Sequence, residues 1–283
     1  MNQKFLRPLK KLLKRSKYGL ISLLVIVGLV VGTPQVSQAF SFSFIDLIFR
    51  GVQVFQLSNM SDSQEVELGK RINQQLVNRE FTLYENREVN RYVDQIGERL
   101  VDNSSRPDLP FTFQVVDDDR INAFATMGGF VYLHTGLIKE AENEAELAGV
   151  IGHEIGHITA RHAIQQMRQR AIAQGLLSAA GLDRSDAVQI GVELAVSRPN
   201  SRQDEFEADE KGLEMITASG YAPGGLVSFM EKLKQQGGSP PTFLSTHPAV
   251  DDRIDRLQAN MDNPEQGDGL NAQAYQQRTQ ALR

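Results

Sequence analysis

Gly152-His153-Glu154-Ile155-Gly156-His157 is the stretch on which the reading of this chain turns. Residues four apart on a helix project from one face, so both imidazoles can reach a single metal ion. The glutamate between them then lies close enough to touch a water on that ion. An ordinary helix could carry the same six residues, and the sequence around them bears on the choice. Asn143 offers an N-cap with Glu146 at the capping-box position. Leu147, Val150, Ile151, Ile155 and Ile158 form an apolar stripe, and Ala148, Gly149, Gly152, Gly156 and Ala160 form a face of small residues. Each glycine costs about 1 kcal/mol of helix propensity against alanine, so three in one helix make sense if neighbouring elements press close. Glu154 falls within the apolar stripe, where a carboxylate is costly unless paired or bound. A chance match accounts poorly for that placement.

A second acidic segment supplies what two histidines lack. In Ser201-Arg202-Gln203-Asp204-Glu205-Phe206-Glu207-Ala208-Asp209, a helix would put Glu205 and Asp209 on one face and turn Glu207 away. A carboxylate ligand, followed one turn later by a carboxylate that accepts the outer N–H of a ligating histidine, suits a zinc site. An acidic, solvated helix face would show the same pattern. The chain has no cysteine, which excludes disulfides and thiolate metal sites. Any zinc is therefore held by histidine and carboxylate.

Between and around these segments the pattern is mixed. Ser61-Asp62-Ser63-Gln64 resembles a capping box opening a helix towards Val77, and a second helix is expected from Arg87 to Val101. Pro110 to Val116 alternates as a strand does, and Phe130 to His134 has strong strand propensity after a bend at Gly128-Gly129. A hairpin or small sheet is expected beside the metal helix, its last strand either buried in the core or open to an extended peptide. Ala171 to Val196 is poor in charge and broken at 181–186, which predicts two short helices or a cover over the site. Residues beyond Met261 are rich in Asn, Gln, Asp and Gly, and a poorly ordered tail is expected over 263–283.

The beginning of the chain looks like an export signal. Seven basic residues between Lys4 and Lys17 precede a 14-residue apolar run, Gly19 to Gly32, and Ser37 and Ala39 suit cleavage before Phe40. An uncleaved anchor is the alternative. Residues 1–39 hold no acidic residue, so without them the net charge moves from −5 to −12. Such an acidic protein is a poor nucleic-acid binder. Phe40 to Phe55, in an apolar segment over 40–60, is interrupted by Asp46 and Arg50. It could lie on a membrane as a peripheral contact or cover the protein's own core. One domain over 61–262 is expected.

Taken together, Asn122 to Ile138, His153-Glu154-x-x-His157, Ser201 to Asp209, and Thr246-His247-Pro248 with Arg253 resemble peptidase family M48. The resemblance covers most of Ser61 to Leu257. It implies an α+β, mainly α-helical, zincin-like (gluzincin) metalloprotease domain with a small sheet or hairpin beside the HExxH helix. It also implies one zinc per chain, with His153, His157 and Glu205 as ligands, Glu154 as general base and Asp209 behind a ligating histidine. His247 and Arg253 match positions that stabilise the oxyanion, although in some members the histidine caps the metal. Asn122, Gly128, Gly129, Phe130, Val131, Tyr132 and Leu133 match the strand that holds substrate. The membrane spans and long helical repeats of other members are not found here. The expected activity is cleavage of misfolded or unassembled envelope polypeptides in the periplasm or an equivalent exported compartment. The rival expectation is a zinc-stabilised chaperone that holds clients without cutting them.

Overall fold

A computed structural model describes residues 60–173, 184–197, 200–236 and 239–283. The expected signal peptide and the apolar stretch through Phe55 lie outside the described residues. Ser61 caps α1 (Asp62–Arg79) with the full reciprocal box to Gln64. Helix α2 (Arg87–Val101) is capped by Asn86 and buries Val89, Tyr92, Val93, Ile96 and Leu100. Strands β1 (Thr112–Val116), β2 (Ala123–Thr126) and β3 (Phe130–His134) follow. Then come α3 (Thr135–Glu140), α4 (Glu144–Thr159), α5 (His162–Ala173), α6 (Arg184–Ser197), α7 (Arg202–Ala218) and α8 (Gly225–Gln235). Helices α9 (Thr242–Thr246), α10 (Val250–Ala259) and α11 (Ala272–Arg278) close the order. The architecture is mainly helical with one small sheet, as the sequence predicts. None of the described helices is long and apolar enough to cross a membrane.

Helix α4 is the axis of the molecule, with every residue from Ala145 to Thr159 buried. Its glycines explain how. A Cβ on Gly149 would overlap the backbone of Leu226 in α8, and one on Gly156 would overlap the carbonyl of Ala208 in α7. Gly152 lies over Gly212 and Ile216. The helix cost of glycine is offset by backbones that approach more closely than any side chain would permit. The opposite stripe, from Leu147 to Ile158, joins a core shared with α2, α8, α10 and one face of the sheet.

The sheet runs β1-β3-β2, with β3 parallel to β1 and antiparallel to β2. Alternate residues of β3 therefore serve two cores. Val131 and Leu133 face the α4 core, whereas Phe130 and Tyr132 face a second core with α1, α5 and α6. This corrects the expected substrate edge. Phe130, Val131, Tyr132 and Leu133 are hydrogen-bonded on both sides and buried, so no peptide can add there. Gly128 and Gly129 form the hairpin turn at φ 78° and 97°, packed on the backbones of Glu65 and Pro110. The outer strands of the sheet are β1 and β2.

The expected disordered tail is also corrected. Residues 263–283 fold back over the domain, with Asn271 capping α11 and Tyr275 buried at 1% exposure. The Tyr275 hydroxyl donates to the carbonyl of Ile138 (2.7 Å), and that of Tyr84 donates to Ala281 (2.7 Å). With Asp268 bound to Arg99 and Gly269 accepting from the Ala145 N–H, the buried Tyr275 anchors this polar segment, and composition alone does not register it. The low-charge stretch from Ala171 does form the end of one helix and the start of another. Helix α6 packs on α1, α5 and β2, while 174–183 lie outside the described residues.

Candidate metal centre

Four buried side chains converge where α4, α7 and the α9–α10 turn meet. His153 and His157 project from one face of α4, Glu205 from the first turn of α7, and His247 from the end of α9. Their ligand atoms all lie within 4.8 Å of one another. His153 Nε2 is 3.0 Å from His157 Nε2 and 3.0 Å from His247 Nδ1. Glu205 oxygens stand 3.4 Å from His153 Nε2, 3.3 Å from His157 Nε2 and 3.2 Å from His247 Nδ1. Ligands about 2.0–2.1 Å from a tetrahedral zinc are separated by roughly 3.3–3.4 Å. The Glu205 spacings lie close to that figure, and the two imidazole pairs at 3.0 Å are slightly closer.

Charge supports the same conclusion. Glu154, Glu205 and Asp209 face a single guanidinium, Arg253, and all four side chains are buried. Ionised, the three carboxylates outnumber this guanidinium by two, an excess that a divalent cation would balance. Burial and Arg253 act to lower His153, but Glu205 and Asp209 outweigh them and raise it to about 9, so without a metal its imidazolium offsets part of that excess. Burial raises Glu154, and His247 and His153 offset only part of that rise. Burial also acts to raise Glu205, but His247, His153 and Arg253 outweigh it and hold the carboxylate well below its usual range. Asp209 is likewise lowered against its burial, chiefly by Arg253. Burial pushes His157 down to about 3, which favours the neutral imidazole a metal requires. Among the described residues, neither oxygen of Glu154 has a hydrogen-bond partner. Groups left bare in a buried cleft are positioned for something that enters it.

Support behind the ligands is equally specific. Asp209 Oδ1 lies 2.8 Å from His153 Nδ1, so it can accept that N–H and direct Nε2 at the cluster. Arg253 binds both oxygens of Asp209 (2.7 and 2.8 Å), and its Nη1 is 2.8 Å from Glu205. Ala249, at φ 62°, turns the chain from His247 into α10 and so brings Arg253 back to these carboxylates. Arg253, expected at the oxyanion, is placed instead behind the ligands. Its guanidinium is wholly buried and engaged by Glu205, Asp209 and the His247 carbonyl (3.2 Å).

The cleft runs from Glu154, His157 and His247 past Asn122 and β2 to α5 and α6. The Ala123 carbonyl is 3.3 Å from His247 Nε2, so the unpaired side of β2 is turned towards the cluster. Asn122 alone of the expected substrate-binding residues lies on this wall. Two participants escape the sequence argument. His162 Nδ1 is 2.8 Å from His157 Nδ1, and Asn200 Nδ2 is 3.4 Å from His157 Nε2. A signal existed, because the chain has five histidines and all five line this cleft or sit in its metal cluster.

Comparisons with known proteins agree with this geometry. A family model described as Peptidase family M48 matches residues 87–261. The chain is 32% identical over 258 residues to the β-barrel assembly-enhancing protease of Escherichia coli strain K12, covering 85% of this chain and 52% of that protein. It is 28% identical over 224 residues to metalloprotease LoiP of the same organism, covering 76% of this chain and 87% of that one. To mitochondrial metalloendopeptidase OMA1 of Arabidopsis thaliana it is 37% identical over 152 residues, 52% of this chain and 31% of that protein. The chain thus spans about half the length of the first of these relatives.

Proposed function

This chain belongs to peptidase family M48, and from that premise we propose that it is a zinc-dependent endopeptidase acting on unfolded or unassembled polypeptides of the cell envelope. The observation that carries the reading is Glu154, buried at 1% exposure and without a hydrogen-bond partner, beside a four-membered set of ligand atoms. His153, His157 and Glu205 would hold the zinc. The metal supplies a Lewis acid that makes water a competent nucleophile near neutral pH and polarises the scissile carbonyl. The remaining chemistry belongs to the chain. An extended substrate adds to the open side of β2, its backbone paired where Ala123 and Ala125 lie. Glu154, whose proton affinity burial has raised, takes the proton of the attacking water and delivers it to the leaving amine. Asp209, fixed by Arg253, holds His153 in the tautomer that leaves Nε2 free. The alternative, a client-holding protein that does not cut, has no use for a carboxylate that no hydrogen bond holds in this place.

Export is proposed from the basic and apolar pattern before Phe40. The name of the E. coli relative suggests β-barrel proteins in assembly as one class of client. Glu154→Gln should keep its zinc and lose cleavage of an unfolded test protein by a factor of roughly 10²–10⁴. Wild-type cleavage should stop on chelation and return with added zinc. Digestion by the Gln variant at the wild-type rate would rule out this assignment.

A further inference from the structure

We propose that His162 is a positioning residue for the metal centre, fixing the tautomer and orientation of His157 and linking it to Glu207 at the surface. The inference rests on the reading of His157 as a metal ligand. In an unbroken helix a residue five beyond His157 would lie about 140° around the axis, facing elsewhere. The chain avoids this by ending α4 at Thr159 and placing Arg161 in the left-handed region at φ 60°. Arg161 is held there by Glu65 (Nε to Oε2, 3.0 Å) and by the Met60 carbonyl (2.7 Å). The turn starts α5 at His162 and swings its ring back onto His157, with ring centroids 5.0 Å apart at 70° and the two Nδ1 atoms at 2.8 Å.

Proton positions follow from the pairing. His157 points Nε2 at His153 Nε2 and Glu205, so a metal bound there requires a bare Nε2 and a proton on Nδ1. Two ring nitrogens at hydrogen-bond distance need one donor and one acceptor. His162 Nδ1 must therefore be bare and its proton must sit on Nε2, which faces Glu207 Oε2 at 3.4 Å. His162 is 2% exposed, whereas the Glu207 side chain is 47% exposed. The path ends in an acid that water can solvate. The two ligating histidines are thus supported differently, His153 by the anionic Asp209 and His157 by a neutral ring. A neutral acceptor orients His157 without adding a fourth buried carboxylate to Glu154, Glu205 and Asp209.

The test uses the full chain and zinc alone. Metal content, the zinc dissociation constant against a competing chelator, and the unfolding midpoint of the metal-free protein are measured for wild type, His162→Leu and His162→Asn. Wild type is expected to hold one zinc, and His162→Leu to bind it about 10–100-fold more weakly. His162→Asn, whose amide oxygen can take the place of Nδ1, should recover most of the loss at an unchanged metal-free midpoint. Nitrogen-15 spectra of the zinc-loaded wild type should show His157 protonated at Nδ1 and His162 at Nε2. The proposal is overturned if His162→Leu binds zinc like wild type, if Asn rescues no better than Leu, or if His162 carries its proton on Nδ1. Should His162→Leu fail to fold, the spectra of wild type decide. A wild type that takes up no zinc would overturn the metal-centre reading itself.

Discussion

His247 bridges the two halves of the site. Its Nδ1 stands among the ligand atoms, 3.2 Å from both oxygens of Glu205, while its Nε2 faces Glu154 Oε1 at 3.4 Å. Phe243 packs against the ring at 4.6 Å and keeps it there. Under the proposed mechanism, a ring so placed would occupy the position of water and the scissile carbonyl. His247→Ala should therefore raise cleavage of an unfolded protein. A competing ligand worth about 1.4 kcal/mol corresponds to roughly tenfold. Initial rates decide the matter, and a loss of activity would return His247 to an oxyanion role. At this scale the convergence of His153, His157 and Glu205 beside Glu154 was legible because helical spacing states which side chains share a face. Arg253 was not, because spacing identifies a charge near a site without saying on which side of the ligands it lies. His162 was hidden for a related reason. Nothing in Thr159-Ala160-Arg161-His162 announces a helix break, since the left-handed residue is an arginine held by ion pairs rather than a glycine.

Helices α4 and α7 are pressed together through backbone, and this contact sets the distance between the histidines on one and the carboxylates on the other. Gly156→Ala would put a methyl group into the carbonyl of Ala208, three residues from Glu205 and one from Asp209. Relief requires α7 to move. The expected cost is about 1–3 kcal/mol of stability, together with weaker zinc binding. Gly152→Ala meets Cγ1 and Cδ1 of the Ile216 side chain at 3.1 and 3.2 Å instead, and should cost less on both counts. Denaturation midpoints and metal affinity of the two variants check the contrast. The close approach could be read from the glycine face, because only tight packing justifies its propensity cost. Strand order could not. The parallel partner of β3 is β1, which precedes β2 in sequence, so the hairpin's first strand and not its second is left at the edge.

Across the whole molecule, two cores share one sheet, and His134 ends the central strand in the wall of the cleft. Neither of its ring nitrogens has a hydrogen-bond partner among the described residues, and Asp118 is 3.6 Å away. Burial pushes this histidine down to about 4 from its ordinary 6.5, despite Asp118. The folded state thus binds fewer protons here than the unfolded chain. The contribution of neutral His134 is complete above pH 6.5 and is lost as pH falls towards 4, by at most on the order of 3 kcal/mol. Denaturation at pH 7 and pH 4.5 should show that part of the loss in wild type and not in His134→Phe. An equal slope in both would place the acid sensitivity elsewhere. The parts of the centre are also far apart along the chain, from Asn122 through His153 and Glu205 to Arg253. During synthesis the two histidines and Glu154 are made long before the carboxylates and the guanidinium that stabilise them. Contacts of such long sequence separation form late and slowly. A chain still emerging therefore carries the motif without its carboxylate and guanidinium partners, and the proposed hydrolysis would wait until α10 has closed behind α7.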